Sequence, residues 1–165
     1  SEWGVQIQYF EEEEKLGTAG SLGVLPIEPE EPVIVTNSDL LTEVDFGNML
    51  QFHEEQGASA TMGVREYEFR IPYGVIRNDN HLIKSIEEKP AETRYINAGM
   101  YVLDPAVLTM IPKHEEIEMT EVFEKVISRG MDCVVYPVTE YWKDIGRKED
   151  LQEVRNEAPD DLLDV

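Results

Sequence analysis

The sequence predicts an α/β fold, a mostly parallel mixed sheet flanked by helices. Three observations carry that prediction. Short strand-like apolar stretches alternate along the chain with stretches of helical periodicity. One stretch, Pro32-Val33-Ile34-Val35-Thr36, is a short continuous apolar run, the pattern of a central strand covered on both faces. The turn-forming Asn78-Asp79-Asn80 lies between two strand-like runs and adds an antiparallel excursion.

The elements follow in order. Val5 to Tyr9 alternates with period two and reads as a strand. Gly17 to Leu25 is a loop running into a short helix that stops before Pro26. After the central run comes a helix from about Glu43 to Gln56. Its Phe46, Met49, Leu50 and His53 share a face, and Gly57 supplies the stop. His53 on that stripe reads as a packing residue with satisfied ring nitrogens.

Ala58 to Val64, Tyr73 to Ile76, Leu82 to Glu88 and Tyr95 to Leu103 read as strands. Asp104-Pro105 opens a short helix. A better one begins at Thr120, places Val122, Phe123, Val126 and Ile127 on one face, and ends at Gly130. Cys133 to Val138 is read as the last strand, and a helix from Arg147 to Asn156 closes the ordered part. One domain over residues 1–157 and an acidic tail over 158–165 account for the length.

Composition narrows the function. Fourteen Lys and Arg stand against 35 Asp and Glu, a formal net charge of -21. That balance repels nucleic-acid backbones and anionic membranes. No apolar run approaches the ~20 residues of a membrane span, and the polar start is not that of a secretory signal. A single cysteine, Cys133, forms no internal disulfide and suits a buried structural thiol; a cytoplasmic location is the expectation. Zinc spacing, a Gly-x-Ser-x-Gly elbow, a Walker-type loop and a dinucleotide fingerprint are all missing from the 165 residues.

Ligands of open α/β sheets bind beyond the carboxyl ends of strands. Asp39 follows the apolar run Val33 to Thr36, where it either presents a hard oxygen to Mg²⁺ or caps the next turn. Asp144, in Tyr141-Trp142-Lys143-Asp144-Ile145-Gly146, follows the last strand in the same way. Whether the two meet in space is not legible. Gly17-Thr18-Ala19-Gly20 is either a loop that lets a ligand approach backbone N–H groups or an ordinary connection. Glu87-Glu88-Lys89-Pro90 closes a strand with acceptors for sugar hydroxyls and a cation for phosphate, or is a solvated strand end.

Taken in order, six segments resemble the sugar-phosphate nucleotidyltransferase family. They are Glu12 to Gly20 with Leu-Gly-Thr-Ala-Gly, Asn37-Ser38-Asp39, Tyr73-Gly74, Glu87-Glu88-Lys89-Pro90, Ile96-Asn97-Ala98-Gly99-Met100-Tyr101, and Trp142 to Gly146. The resemblance runs from about Val5 to Asn156 and is to nucleotide-sugar pyrophosphorylases of the mannose-1-phosphate guanylyltransferase-like kind, over the C-terminal part of their catalytic domain. It implies a Rossmann-like nucleotide-diphospho-sugar transferase fold. It also implies an activity: a nucleotidyl group passes from a nucleoside triphosphate to a sugar 1-phosphate, and pyrophosphate leaves.

By the same resemblance Glu12, Gly17 and Thr18 would hold the base, and Asp39 and Asp144 the Mg²⁺. Gly74, Glu87 or Glu88, and Asn97 would face the sugar, with Lys89 on its phosphate. Asp39, Lys89 and Asp144 would be the catalytic set. Glu12, acceptor-only at neutral pH, matches the two adjacent donors of guanine and so points to GTP.

Departures are Ser38 in place of a usual Gly, and Arg147 in place of a small hydroxyl residue. The family's opening Gly-x-Gly-x-Arg-Leu loop and its strands have no counterpart in these residues. Three expectations follow from the resemblance: N-terminal strands are missing, this chain alone is inactive, and the exposed sheet edge pairs with another copy. The alternative is a non-catalytic regulatory or binding module of the same superfamily.

Overall fold

The computed structural model describes residues 4–26, 28–146, 150 and 154. The expected closing helix, Arg147 and the acidic tail lie, apart from Asp150 and Val154, outside the described residues. Asp150 and Val154 are helical, and among the described residues eight strands and three helices with defined bounds follow in chain order. They are β1 (Val33–Thr36), β2 (Leu40–Thr42), α1 (Phe46–Gln56), β3 (Ala60–Arg70), β4 (Gly74–Asp79), β5 (Leu82–Glu88) and β6 (Ala91–Leu103). Then come α2 (Pro105–Leu108), α3 (Met119–Ser128), β7 (Cys133–Pro137) and β8 (Trp142–Asp144), and a 3-10 turn over Gly20–Gly23 precedes β1.

The main sheet has the order β1-β6-β3-β7. β7 runs parallel to β3, whereas β6 runs antiparallel to both of its neighbours, β1 and β3. Three of the four strands therefore share one direction, and β6 alone opposes them. The sheet is mixed and flanked by helices, as expected.

β6 is also the strand buried on both faces. Met100 and Val102 point into a core with Met49 of α1, Val44 and Val138. Tyr101 and Leu103 point the other way, into a larger core with Val107, Ile117, Val122, Phe123 and Val126. The sequence put β1 in that central place. Instead β1 is an edge strand in the described sheet: Val33 and Val35 pack against the larger core, while Ile34 is 39% exposed. A continuous apolar run fits a half-covered edge when the outward residue borders a groove; the groove along β1 measures about 830 Å³, and Leu22, Leu25, Pro105 and Leu108 are among its walls.

Helix boundaries obey the capping rules. The Asp45 carboxylate accepts from the N–H groups of Gly47 at 2.8 Å and Asn48 at 3.1 Å, and Gly57 ends α1 with φ of 60°. α3 begins in a capping box between Glu118 and Glu121. Its buried stripe is Met119, Val122, Phe123 and Val126. Ile127, expected on that face, is 60% exposed because it falls at the stripe's rim.

Other differences have local causes. Val5 to Tyr9 is irregular and exposed and joins none of the described sheets. Alternation satisfies the pleat, but a strand also needs a neighbouring ladder. β2 and β8 were not anticipated; at three residues each they are too short to show a period. Cys133 is half-buried against the larger core, and burial, aided by the Asp132 charge, raises its pKa. A raised thiol pKa makes it a poor nucleophile at neutral pH.

Candidate active site

β1 and β7 end on the same side of the sheet, where β6 passes Asn97, Ala98 and Gly99. Three hydrogen bonds tie the sequence motifs together there. The Asn37 N–H donates to the Gly99 carbonyl at 2.9 Å, extending the β1–β6 ladder by one step. The Trp142 indole N–H donates to the Ala98 carbonyl at 2.8 Å. The Ile145 N–H donates to the Asp39 carbonyl at 2.8 Å.

The last bond continues the β2–β8 ladder, in which Leu40 pairs with Asp144 and Thr42 with Trp142. The backbones of Asp39, just before β2, and Asp144, in β8, therefore lie one register step apart, and both residues are exposed. Strict pleat alternation would send their side chains to opposite faces, so the ladder by itself brings the two backbones together and not the two carboxylates. Mg²⁺ keeps several waters and takes one or two protein carboxylates plus substrate phosphates, and each of these exposed carboxylates is accessible to such an ion. No cluster of three or more His, Cys, Asp or Glu able to hold a metal occurs among the described residues.

Gly99 explains the close approach of two motifs. Its φ is +71°, and a Cβ there would lie 2.9 Å from the Asn37 side-chain nitrogen. Asn97 is fixed as well: its Oδ1 accepts from the Gly99 N–H at 2.9 Å, and its Nδ2 donates to the Tyr101 hydroxyl at 2.7 Å. Tyr101 is 3% exposed. Burial pushes its pKa up, the Asn97 hydrogen bond opposes that, and the Glu118 charge adds to it.

The Gly17-Thr18 loop packs on the start of α3. Gly17 has φ of +74°, and a Cβ on it would come within 2.6 Å of the Ile117 carbonyl. The Thr18 hydroxyl donates to Glu118 Oε2 at 2.6 Å and accepts from the Met119 N–H at 2.8 Å. The Thr18 N–H, expected to face a base, points to the same Glu118 oxygen at 3.3 Å. Glu12 is exposed.

Gly74, Glu87, Glu88 and Lys89 lie elsewhere, on an arm formed by the distal halves of β3 and β6 with the β4–β5 hairpin. Gly74 pairs with Glu88 and Val75 with Glu87, so the two glutamates project to opposite faces. Glu88 shares the Gly74 face, its Oε2 lying 3.0 Å from where a Gly74 Cβ would be. Lys89 turns the chain out of β5 with φ of 47°. No hydrogen bond or ion pair among the described residues joins these four to Asp39, Asp144 or Asn97.

Three contributors were not anticipated. Glu118 anchors Thr18 while capping α3, a pair with Glu121 that the Ser/Thr-x-x-Glu signature does not flag. Tyr101 orients Asn97 but looked like any apolar strand residue. Arg65 donates to the Glu140 carbonyl at 2.8 Å and lies 6.0 Å from the Trp142 ring centre, bracing the β8 segment. No helix among the described residues is long and apolar enough to cross a membrane.

Comparison with known proteins identifies the family. The family model described as nucleotidyl transferase matches residues 1–161. The mannose-1-phosphate guanylyltransferase catalytic subunit beta of Danio rerio is 34% identical over 174 residues, covering 96% of this chain and 48% of its own length. The mannose-1-phosphate guanyltransferase of Schizosaccharomyces pombe is 35% identical, covering 90% and 43%. The chain thus spans about half the length of the curated relatives it matches.

Among solved structures, one from Bacillus anthracis named for glucose-1-phosphate thymidylyltransferase, with sucrose bound, superposes with a TM-score of 0.71. It is 23% identical and covers 96% of this chain and 68% of its own. HddC of Yersinia pseudotuberculosis with GMP-PN gives 0.59 at 24% identity, covering 86% and 62%. These two likenesses establish the fold, and the family match, over nearly the whole sequence, establishes more: this chain belongs to the nucleotidyl transferase family.

Proposed function

We propose that this chain supplies the metal-binding and sugar-binding part of a sugar 1-phosphate guanylyltransferase. The reaction joins GTP and a sugar 1-phosphate to a nucleotide sugar and releases pyrophosphate. The observation that carries the reading is the backbone hydrogen bond from the Ile145 N–H to the Asp39 carbonyl, which brings the Asn37-Ser38-Asp39 and Trp142 to Gly146 segments together. The two relatives named for guanylyl transfer, at 34% and 35% identity, support GTP as the nucleotide.

In this reading the chain's own groups do positioning and electrostatic work. Asp39 and Asp144 would hold Mg²⁺, which when bound neutralises phosphate charge and orients the reacting oxygen toward the α-phosphorus. Asn97, locked by Gly99 and Tyr101, presents a fixed carboxamide beside them for a sugar hydroxyl. Gly74 leaves room under Glu88, whose carboxylate accepts from sugar hydroxyls, and Lys89 offers its ammonium to the sugar phosphate. Of the two glutamates, Glu88 is the sugar ligand because it shares the Gly74 face. Gly17 and Thr18 would border the base, with Glu12 accepting from guanine; this requires Thr18 to exchange its Glu118 partner for the ligand. On a chain of -21, a bound cation and Lys89 make approach of two polyanions feasible.

The Gly-x-Gly-x-Arg-Leu element of the resemblance does not occur in the 165 residues, so this polypeptide alone binds without turning over. The test is calorimetric titration of the chain with GTP, with and without Mg²⁺. Binding that depends on Mg²⁺ and fails in Asp144→Asn supports the reading. Binding indifferent to both the metal and Asp144 counts against it, and nucleotide-sugar formation by the chain alone would refute the inactivity.

A further inference from the structure

Glu118 lies outside every segment that carries the family resemblance, yet it holds the loop assigned to the base. Leu16 and Ala19 of that loop are buried, and two backbone bonds fasten them. The Ile117 N–H donates to the Leu16 carbonyl and the Ala19 N–H to the Ile117 carbonyl, both at 3.0 Å. Thr18, between them, is exposed. Glu118 Oε2 accepts from the Thr18 hydroxyl at 2.6 Å and from the Thr18 N–H at 3.3 Å, while the Met119 N–H donates to the hydroxyl at 2.8 Å.

Glu118 is itself fixed by α3. Its carboxylate accepts from the Glu121 N–H, and its own N–H donates to Glu121 Oε2 at 2.9 Å. Buried Met119, Val122, Phe123 and Val126 seat that helix in the larger core. The packed body of the fold thus reaches an exposed peptide of the loop through one carboxylate.

We propose that Glu118 is a positioning residue for base selection, fixing the Thr18 peptide at which the base is read without touching the nucleotide itself. This rests on the reading in which Gly17 and Thr18 border the base. The two bonds to Thr18 differ in strength. The hydroxyl bond is short and charge-assisted, whereas the N–H bond is long. A base acceptor can therefore take the N–H while the hydroxyl stays with Glu118 and Met119, so Thr18 changes partner without losing its place. The guanine carbonyl oxygen is such an acceptor, and it adjoins the two donors assigned to Glu12.

Thr18 and Glu118 are both exposed, so water competes for their bond and the bond adds little to stability. Its effect is on placement, since a group that reads a ligand must sit within about 0.5 Å of its working position. Loss of Glu118 removes discrimination between bases and spares the metal-triphosphate contribution, which every nucleotide shares.

The test compares Glu118→Ala with Glu121→Ala, which breaks the same capping box but removes no hydrogen bond to Thr18. Thr18→Val removes the hydroxyl from the other side of the contact. Mg²⁺-GTP and Mg²⁺-UTP are titrated calorimetrically into the parent chain and each variant, after amide spectra have confirmed the fold. Where Glu118→Ala does not fold, the exposed Thr18→Val carries the test. Urea midpoints should fall in both glutamate variants. The preference for GTP over UTP should fall about tenfold in Glu118→Ala and in Thr18→Val, through weaker GTP binding and not tighter UTP binding. Combining those two changes should lower it no further, because both remove one contact. Glu121→Ala should keep the parent's preference. A preference kept in Glu118→Ala and Thr18→Val, or lost equally in Glu121→Ala, overturns the proposal and leaves Glu118 a helix cap. A parent chain without preference for GTP fails earlier, at the base reading itself, and takes the proposal with it.

Discussion

Asp39 and Ile145 are joined by a backbone hydrogen bond of 2.8 Å, and that bond carries Asp144 to the side of Asp39. The two residues are 105 positions apart in sequence, and their backbones meet because β2 and β8 form a short ladder. If they share a cation, each should matter to metal binding and little to folding, since both are exposed. Asp39→Asn and Asp144→Asn should each weaken Mn²⁺-induced broadening of the Asp39 and Ile145 amides about tenfold while changing stability by less than about 0.5 kcal/mol. Unchanged broadening in both variants would remove the metal assignment.

Gly99 is the position where a methyl group does most harm to the site. A side chain there would be held at φ of +71° and would press on Asn37 at 2.9 Å. The left-handed conformation alone costs an L-residue about 1–2 kcal/mol, and displacement of Asn37 adds to it. Gly99→Ala should lower the urea midpoint accordingly and shift the amides of Asn37 to Leu40. A midpoint equal to the parent's would mean the loop has room that the geometry denies.

His53 is 1% exposed, and both ring nitrogens are engaged: Nδ1 with Thr61 at 2.8 Å and Nε2 with Asp104 at 3.2 Å. It fastens α1 to β3 and to the turn before α2. His53→Ala leaves a cavity and an unpaired buried Thr61, and should cost about 2–4 kcal/mol by chemical denaturation. A loss below about 0.5 kcal/mol, the range of surface substitutions, would contradict the packing role.

Tyr101, Tyr136 and Cys133 all have folded-state pKa values above their ordinary ones, chiefly because burial disfavours the charged forms. The ordinary values are 10.0 for the phenols and 9.0 for the thiol. An unfolded chain therefore releases these protons at lower pH than the folded one. Stability from these groups is fully present below the ordinary values and is lost as pH rises through the raised ones. Urea midpoints should be flat just below pH 9 and fall steadily above it, and Tyr101→Phe should make the fall shallower. Because Asn97 loses its partner, that variant should also start about 1 kcal/mol less stable at neutral pH. A midpoint rising with alkalinity has the wrong sign for this account.

Lys89 sits at φ of 47°, a conformation that disfavours lysine. Lys89→Gly should therefore raise stability by up to about 1 kcal/mol and at the same time weaken binding of a sugar 1-phosphate. Stabilisation with undiminished binding would mean that the ammonium does not meet the phosphate.

Much of this was legible in the residues. The Gly57 stop of α1 and the apolar portions of β3 to β7 follow from local pattern, because the forces that set them are local; the Asp45 cap and the polar halves of β3 and β6 were not anticipated. The convergence of Asn37, Gly99, Ala98 and Trp142 was not legible from spacing, because it depends on which strands become neighbours. β1 misled for the same reason: a continuous apolar run fits a buried strand or a groove-lining edge equally well. β6 gave its burial away only in part, since its polar first half hides a wholly buried second half. The Thr18–Glu118 bond joins residues 100 apart and had no sequence signal. Glu88 was separated from Glu87 only once the β4–β5 register was known.

The most direct test of the central claim, that Asp39 and Asp144 together bind the metal-nucleotide, is a nucleotide titration followed through backbone amides. GTP, UTP, CTP and dTTP would each be added with and without Mg²⁺, to the parent chain and to Asp144→Asn. The account predicts shifts at Asp39, Ile145, Gly17 and Thr18 that are largest with GTP, require Mg²⁺ and vanish in the variant. Shifts that persist in Asp144→Asn, or that appear only away from the β2–β8 ladder, would contradict it.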